Sequence, residues 1–172
     1  MKQALKLQRD FFSKDVLEVA PALPGKFLCT NHPAGRPGMY MITEVEAYRG
    51  EEDMACHARR GRTARTEIMY HRGGFIYMYL IYGIYWMLNV VAGEEGVPQA
   101  VLIRGVKGYE GPGKLTRHLD IDGSFYGEDI SHSERIWIED HGLKPVIEKS
   151  PRIGIDYATP LWRDIEWRYY AR

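Results

Sequence analysis

The 172-residue sequence predicts an α+β domain: an antiparallel β-sheet flanked by short helices. Residues 39–48 alternate in side-chain character with a two-residue period, which is typical of a half-buried strand. Residues 75–81 and 84–91 are rich in tyrosine and apolar residues and flank Tyr82-Gly83, which indicates a β-hairpin. Most neighbouring strands are joined by short turns rather than by long helices, and this favours antiparallel pairing over a doubly wound parallel sheet.

The remaining elements follow in chain order. Ser13 is typical of a helix N-cap, and Pro21 and Pro24 are expected to close the short helix that it opens. The pattern predicts further strands at residues 25–30, 98–106, 136–138 and 153–155, and short helices at residues 63–71 and 112–119. Two stretches rich in polar, glycine or proline residues predict loops, at residues 31–38 and 49–61. Because no repeat or linker interrupts the chain, we expect a single domain over residues 1–172.

Composition excludes several classes of protein. Lys and Arg number 23, as do Asp and Glu, so a polycation that binds nucleic acid by bulk charge is excluded and a polyanion must meet a local basic patch. The two cysteines, Cys29 and Cys56, lack C-x-x-C spacing, which argues against a disulfide scaffold and fits a reducing compartment. Residues 73–93 carry no charged side chain, but their tyrosines and Asn89 argue against a membrane span.

Strand 39–48 carries two carboxylates on one face. Glu44, Glu46 and Tyr48 alternate with residues of the opposite face, so all three point the same way in a regular strand. This face either meets solvent or lines a cleft in which one carboxylate acts as a general base. The opposite face, which we expect to meet the core, carries Met41, Thr43, Val45 and Ala47.

A basic segment follows Cys56-His57. Within a chain of zero net charge, its arginines are the natural candidates for phosphate binding, although a solvated loop is the alternative. Cys56 and His57 are adjacent and no third ligand lies nearby, so we expect no metal site. The arginines of the segment are Arg59, Arg60, Arg62, Arg65 and, further along, Arg72.

Three single residues near the hairpin also suggest chemistry. Tyr82, at the bend, either folds back on a neighbouring loop or acts as a wedge between stacked bases. Asn89 is polar within an apolar strand, where it must find hydrogen-bond partners, and its amide is also suited to a base edge. Arg104 ends an apolar run and is expected either to reach solvent or to meet a buried carboxylate.

Taken together, these segments closely resemble the alkyladenine (3-methyladenine, N-methylpurine) DNA glycosylase family. The resemblance covers residues 13–157 and rests on long motifs that occur in order. They are Ile42-Thr43-Glu44-Val45-Glu46-Ala47-Tyr48, His57, Tyr77-Met78-Tyr79-Leu80-Ile81-Tyr82-Gly83, Asn89, Val101-Leu102-Ile103-Arg104 and Gly111-Pro112-Gly113-Lys114-Leu115.

The resemblance implies a single domain with a curved antiparallel sheet and a protruding β-hairpin. It also implies a role for each matching residue. Glu46 corresponds to the carboxylate that activates water. Arg104 corresponds to the arginine that helps to hold that water and the carboxylate. Tyr48, His57 and Tyr79 correspond to the side chains that surround the flipped base. Asn89 corresponds to the amide that clashes with the exocyclic amino group of guanine. Tyr82 corresponds to the hairpin residue that fills the gap left in the duplex. Residues 153–155 resemble the segment whose main chain lines the water site.

The implied activity is excision of alkylated purines from double-stranded DNA, starting base excision repair. We expect no cofactor and no metal, with Arg59, Arg62 and Arg65 contacting phosphates. A monomer is expected, located with the DNA in the cytoplasm, or in the nucleus if the source is eukaryotic. We expect no lysine within the motifs that form the pocket, which suggests a monofunctional glycosylase without a Schiff-base step. The excision of neutral lesions, such as hypoxanthine or ethenoadenine, stays open.

Two other functions remain open at this stage. A non-catalytic binder of damaged DNA on the same fold would have no need of Glu46 beside an anionic polymer. An unrelated small-molecule hydrolase would leave the arginine segment and Tyr82 without a purpose. Release of a free base from methylated duplex DNA distinguishes the three.

Overall fold

The computed structural model describes residues 4–31 and 37–172 of the chain. All strand pairs are antiparallel, which confirms the α+β prediction. The main path of the sheet runs in the order β1-β8-β2-β3-β6-β5-β4, with β7 beside β6 and β10 between β3 and β9. Its strands are β1 (Leu5–Lys6), β2 (Phe27–Thr30), β3 (Gly38–Arg49), β4 (Ile76–Ile81), β5 (Tyr85–Ala92), β6 (Gln99–Val106), β7 (Tyr109–Glu110), β8 (Ile136–Asp140), β9 (Ile147–Ser150) and β10 (Arg168–Ala171).

The N-terminal helices differ from the sequence prediction. Ser13 does not begin a helix but caps the end of α1 (Arg9–Phe12). Asp15 is the N-cap of α2 (Val16–Ala22), where its side chain accepts a hydrogen bond from the Leu17 N–H at 2.9 Å. The prediction was wrong because two capping residues lie two positions apart, and the carboxylate is the one placed to accept the free N–H groups.

The other helices are short. Helix α3 (Pro112–His118) confirms the predicted helix, and α4 (Pro160–Arg163) was not predicted. The predicted helix at residues 63–71 is reduced to one turn of 3-10 helix, and the loop before it contains another. The 3-10 turns are His57–Arg60, Glu67–Tyr70 and Gly123–Phe125. Of the predicted loop 31–38, residues 32–36 lie outside the described residues.

A β-bulge in β3 corrects the predicted core face. The pairing with β6 shifts register between Ile42 and Val45. Before the bulge Ile42 is fully buried, whereas Met41 and Thr43 are only half-buried; after it, Val45 and Ala47 are fully buried. The extra residue of a bulge rotates the following side chains to the opposite face. Met41 and Thr43 therefore do not share the core face with Val45.

Beyond the bulge, alternation sorts the strands β3 to β6 into two faces. Leu88, Val90, Val101 and Ile103 belong to the main core, together with buried side chains of α1 and α2. The intervening residues lie on the opposite face, where Glu46, Leu102, Asn89 and Tyr77 are directly paired neighbours from β3 across to β4. One face of the sheet thus holds the fold together and the other presents a row of polar and aromatic side chains.

The hairpin of β4 and β5 protrudes, as predicted. Ile81 pairs with Tyr85, so residues 82–84 form the bend. Tyr82 and Gly83 have φ of 53° and 69°, left-handed values that glycine adopts readily and tyrosine only at a cost. Tyr82 is 88% exposed. It does not fold back on a neighbouring loop, and the strained bend holds an aromatic ring in solvent.

The C-terminal region was predicted least well. Residues 153–155 form a bend instead of a strand, because Gly154 adopts a left-handed φ of 77°. The strands of this region are β9 and β10, and β10 pairs with β3 opposite Glu44, Val45 and Glu46. Within residues 4–31 and 37–172, no helix is long and apolar enough to cross a membrane.

Candidate active site

A cavity of about 550 Å³ opens on the polar face of the sheet, beside the hairpin. Its volume lies within the range of small-molecule sites, and six tyrosines stand among its lining residues. The structure brings most of the predicted site residues to this cavity: Tyr48, His57, Tyr79, Asn89, Arg104, Arg65 and Tyr82 all line it.

Glu46 lies directly behind the cavity wall. Its side chain is fully buried, and three neighbours that line the cavity surround its carboxylate. Oε2 accepts a hydrogen bond from the Tyr48 hydroxyl at 2.7 Å, and Oε1 accepts one from the Ile153 N–H at 2.6 Å. The Arg104 Nε lies 3.5 Å from Oε1. The solvent-facing alternative for this carboxylate is therefore wrong.

Burial and neighbouring charges act on Glu46 in opposite directions. Burial raises the pKa of its carboxyl group, because the ionised form loses hydration. Arg104, the Ile153 N–H, the Tyr48 hydroxyl and Arg152 oppose this rise. The net pKa is raised from its ordinary value, which suits a group that must accept a proton.

Arg104 is held by a second carboxylate. Its Nε donates to Glu44 Oε1 at 3.0 Å, and the Nε of Arg168 on β10 donates to the same oxygen at 2.6 Å. Glu44 therefore sits between two arginines and fixes the guanidinium that approaches Glu46. Of the two predicted outcomes for Arg104, the meeting with a buried carboxylate is the one observed.

The aromatic wall is built from β4 and the 3-10 turn that begins at His57. The His57 ring lies edge-on to Tyr79, with 4.5 Å between centroids, and its Nδ1 lies 2.8 Å from the Tyr77 hydroxyl. Burial, with the charges of Arg65 and Arg59, lowers the pKa of His57 to about 4. His57 is therefore neutral at pH 7 and its Nδ1 can accept the proton of Tyr77.

Asn89 is buried at the centre of the row across the sheet. Its Nδ2 donates to the main-chain oxygens of Tyr77 at 3.2 Å and Met87 at 3.3 Å. Because both partners are acceptors, the orientation of the amide is fixed, with its nitrogen on the main chain. Asn89 also lines the cavity, so it has the hydrogen-bond partners that a buried amide requires and still borders the space beside the sheet.

The arginines of the basic segment divide by position. Arg65 lines the cavity, with its guanidinium 5.3 Å from the Tyr79 ring centroid. Arg59 donates to the Met54 carbonyl at 3.1 Å, and Arg62 pairs with Glu67 at 3.2 Å. All three lie around the cavity entrance or on the segment beside it, and Arg62 is partly neutralised.

Sequence comparison identifies the family of the chain. The profile of the methylpurine-DNA glycosylase family matches residues 10–110 and 107–172. The chain belongs to this family. A relative from Psychrobacter cryohalolentis is 44% identical over 86% of this chain and 84% of its own length. Relatives from Methanocella arvoryzae and Rickettsia felis are 41% and 42% identical, over 96% and 98% of this chain and 92% and 94% of their own lengths. All three carry the name "Putative 3-methyladenine DNA glycosylase".

Sequence reasoning missed several residues near the cavity of this chain. Tyr77 had the signal, since it alternates with Tyr79 on one strand face, but it was given no role. Lys114, exposed in the first turn of α3, lines the cavity, so the argument that no lysine belongs to the pocket was wrong. Arg152 and Asp53 form a fully buried ion pair that no local pattern indicates.

No metal site is evident in the part of the glycosylase that the structure describes. Among residues 4–31 and 37–172, no three His, Cys, Asp or Glu side chains are grouped so as to hold an ion. Cys56 is buried beside His57, and burial raises the pKa of its thiol to about 12. A protonated thiol is a poor metal ligand.

Proposed function

We propose that residues 1–172 act as one DNA glycosylase domain that releases alkylated purines, of the 3-methyladenine and 7-methylguanine type, from double-stranded DNA. The supporting observation is the buried Glu46 carboxylate, held by Tyr48, Ile153 and Arg104 at the wall of an aromatic cavity. A base stacked in a duplex cannot reach such a cavity, so the damaged nucleotide must be rotated out.

The reaction follows from the position of Glu46. Its carboxylate takes a proton from water while the water oxygen bonds to C1′ of the deoxyribose. The electron pair of the N-glycosidic bond leaves with the purine, and an alkylated, positively charged purine departs as a neutral molecule. The products are the free base and an abasic site. The nearby negative charge of Glu46 also stabilises the oxocarbenium-like transition state.

The cavity suits a positively charged purine. The faces of Tyr48 and Tyr79 attract a cation by about 0.5–2 kcal/mol each. His57 is neutral near pH 7 and does not repel it. Hypoxanthine and ethenoadenine lack this charge, so they gain less from the cavity and leave less readily. In this proposal the Asn89 amide excludes guanine by a steric clash with its exocyclic amino group.

The hairpin and the arginines would hold the duplex. The exposed ring of Tyr82 is suited to fill the gap left by the rotated nucleotide. Arg59, Arg62 and Arg65 lie on the segment beside the cavity and would contact phosphates. The exposed Tyr82 ring and the arginines beside the cavity favour a DNA substrate over the small molecule of the alternative hydrolase.

Base release from methylated duplex DNA by the wild type and by Glu46→Gln tests the proposal. We expect the variant to bind lesion DNA but to lose base release by at least about 100-fold, the usual contribution of a general base. Glu95→Gln, at an exposed position, is the matched control and should retain wild-type activity. Retained turnover in Glu46→Gln would remove Glu46 from the mechanism, and a wild type that binds without releasing base would favour the non-catalytic binder.

The proposed glycosylase is monofunctional, although Lys114 borders the cavity. The activated water accounts for base release without an amine nucleophile. Treatment of the enzyme with borohydride on damaged duplex should therefore trap no covalent adduct. An adduct that forms in the wild type and disappears in Lys114→Gln would instead assign a lyase step to this lysine.

A further inference from the structure

The Arg152–Asp53 ion pair is buried close to Glu46. Both side chains have no exposed surface. Arg152 donates to both Asp53 carboxylate oxygens, at 2.6 and 2.9 Å, and to the main-chain oxygens of Ala47 at 3.0 Å and Trp162 at 3.2 Å. Its Nε is buried without a hydrogen-bond partner among the described residues. Apolar side chains in place of a buried ion pair are often neutral or stabilising, so stability alone does not account for this pair.

The pair joins three segments that form the site. Ala47, which accepts from Arg152, lies between Glu46 and Tyr48 on β3. Ile153, which follows Arg152 in the chain, donates its N–H to Glu46. Asp53 accepts from the Arg49 N–H at 2.9 Å and the Ala55 N–H at 3.0 Å, which fixes the loop that leads to His57.

Arg152 also lies behind the cavity wall. Its guanidinium is 4.8 Å from the Tyr48 ring centroid and 5.1 Å from that of Trp167. Tyr48 lines the cavity and Arg152 does not, so the guanidinium supports the rear face of the ring. A shift of Arg152 would therefore move Tyr48 and the Ile153 N–H together.

We propose that Arg152, paired with Asp53, is a positioning residue of the glycosylase reaction, which sets the Glu46 carboxylate and the Tyr48 ring in place without touching substrate. This rests on the proposed function. Arg152 also acts on the pKa of Glu46. Together with Arg104 it favours the ionised carboxylate, whereas burial favours the protonated form.

The electrostatic part depends on every group that faces Glu46. Tyr48 lies on the same strand, Arg104 on β6, and Arg152 with the Ile153 N–H on the segment after β9; the Tyr79 hydroxyl on β4 also interacts with its charge. Loss of the Arg152 charge removes one of the effects that lower the pKa of Glu46. Because the base must be ionised, the acid limb of the pH–rate profile should then move to higher pH.

Two substitutions separate geometry from charge. Arg152→Lys keeps the charge but cannot make the forked contacts with Asp53, Ala47 and Trp162. The double variant Arg152→Gln/Asp53→Asn removes both charges without leaving an unpaired buried carboxylate. Lys26→Gln/Asp140→Asn, which removes a 2.8 Å ion pair between the residue before β2 and the last residue of β8, is the control, because neither side chain lines the cavity.

The experiment measures single-turnover base release across pH, binding of lesion duplex and urea denaturation for each protein. We expect Arg152→Lys and the double variant to lose rate by about ten- to 100-fold per folded molecule, as misplacement of a catalytic group does, with lesion binding changed much less. In the double variant the acid limb should move to higher pH, because Arg152, and not Asp53, is among the groups that act on Glu46; in Arg152→Lys it should stay, and the control should keep rate and profile.

Two results would overturn the inference. In one, the fall in folded fraction accounts for the whole loss of rate; in the other, the acid limb of the double variant is unchanged. The proposed function fails differently, through a wild type that releases no base or a Glu46→Gln variant that still does.

Discussion

Acidification should destabilise this glycosylase through His57. The pKa of this imidazole is about 4 in the folded protein and 6.5 in a solvated chain. Between these values the unfolded state binds the proton and the folded state does not, so stability is complete above the higher pKa and is lost as pH falls through this window. The full loss is about 3 kcal/mol, of which about 2 kcal/mol is reached at about pH 5.

Urea denaturation at about pH 7 and at about pH 5 gives the loss in free energy of unfolding for each protein, and the loss in the wild type is then compared with the loss in His57→Gln. The wild type should lose about 2 kcal/mol more than His57→Gln between the two pH values, since all other titrating groups are common to both. Arg65→Gln should reduce the wild-type loss in part, because the charge of Arg65 is the second cause of the low pKa. Equal losses in the wild type and His57→Gln would refute the reasoning.

Two further perturbations act on distant parts of the molecule. Tyr82→Ala should lower kcat/KM on damaged duplex by about tenfold or more, because stacking of a base on an aromatic ring is worth about 1–3 kcal/mol, while the urea midpoint stays unchanged; unchanged kcat/KM would remove Tyr82 from duplex opening. Gly73→Ala should lower stability by about 2 kcal/mol, because a Cβ there would lie 2.0 Å from the Phe12 carbonyl oxygen. Base release per folded Gly73→Ala molecule should match the wild type, and an unchanged urea midpoint would contradict the close packing.

The sequence predicted the parts of the fold that depend on local pattern. The strand at 39–48 follows from alternation, the strand at 98–106 from a run of branched apolar residues, the hairpin from its turn residues, and the helix after Gly111 from a proline at the first helical position. The same alternation gathers Glu46, Leu102, Asn89 and Tyr77 in one row once the strands pair. The resemblance to a known family supplied the roles, which alternation alone cannot assign.

The errors come from interactions between distant residues. Nothing in the run from Ile42 to Val45 marks the bulge, which arises in the pairing of β3 with β6. Strand β9 is polar and half-exposed, so it has no apolar pattern. Arg152 resembles a surface residue until Asp53, 99 positions away, neutralises it. Such pairs are visible only after the chain has folded.

The pairing of β10 with β3 also constrains how the enzyme is made. The ribosome delivers residues in order, so the backbone beside Glu46 has an open edge until residues 168–171 emerge. A nascent chain lacking them also lacks Arg168, which anchors Glu44. Activity should therefore arise only after residues 168–171 have emerged and paired with β3, and a polypeptide stalled before them would expose this strand edge as a template for aggregation.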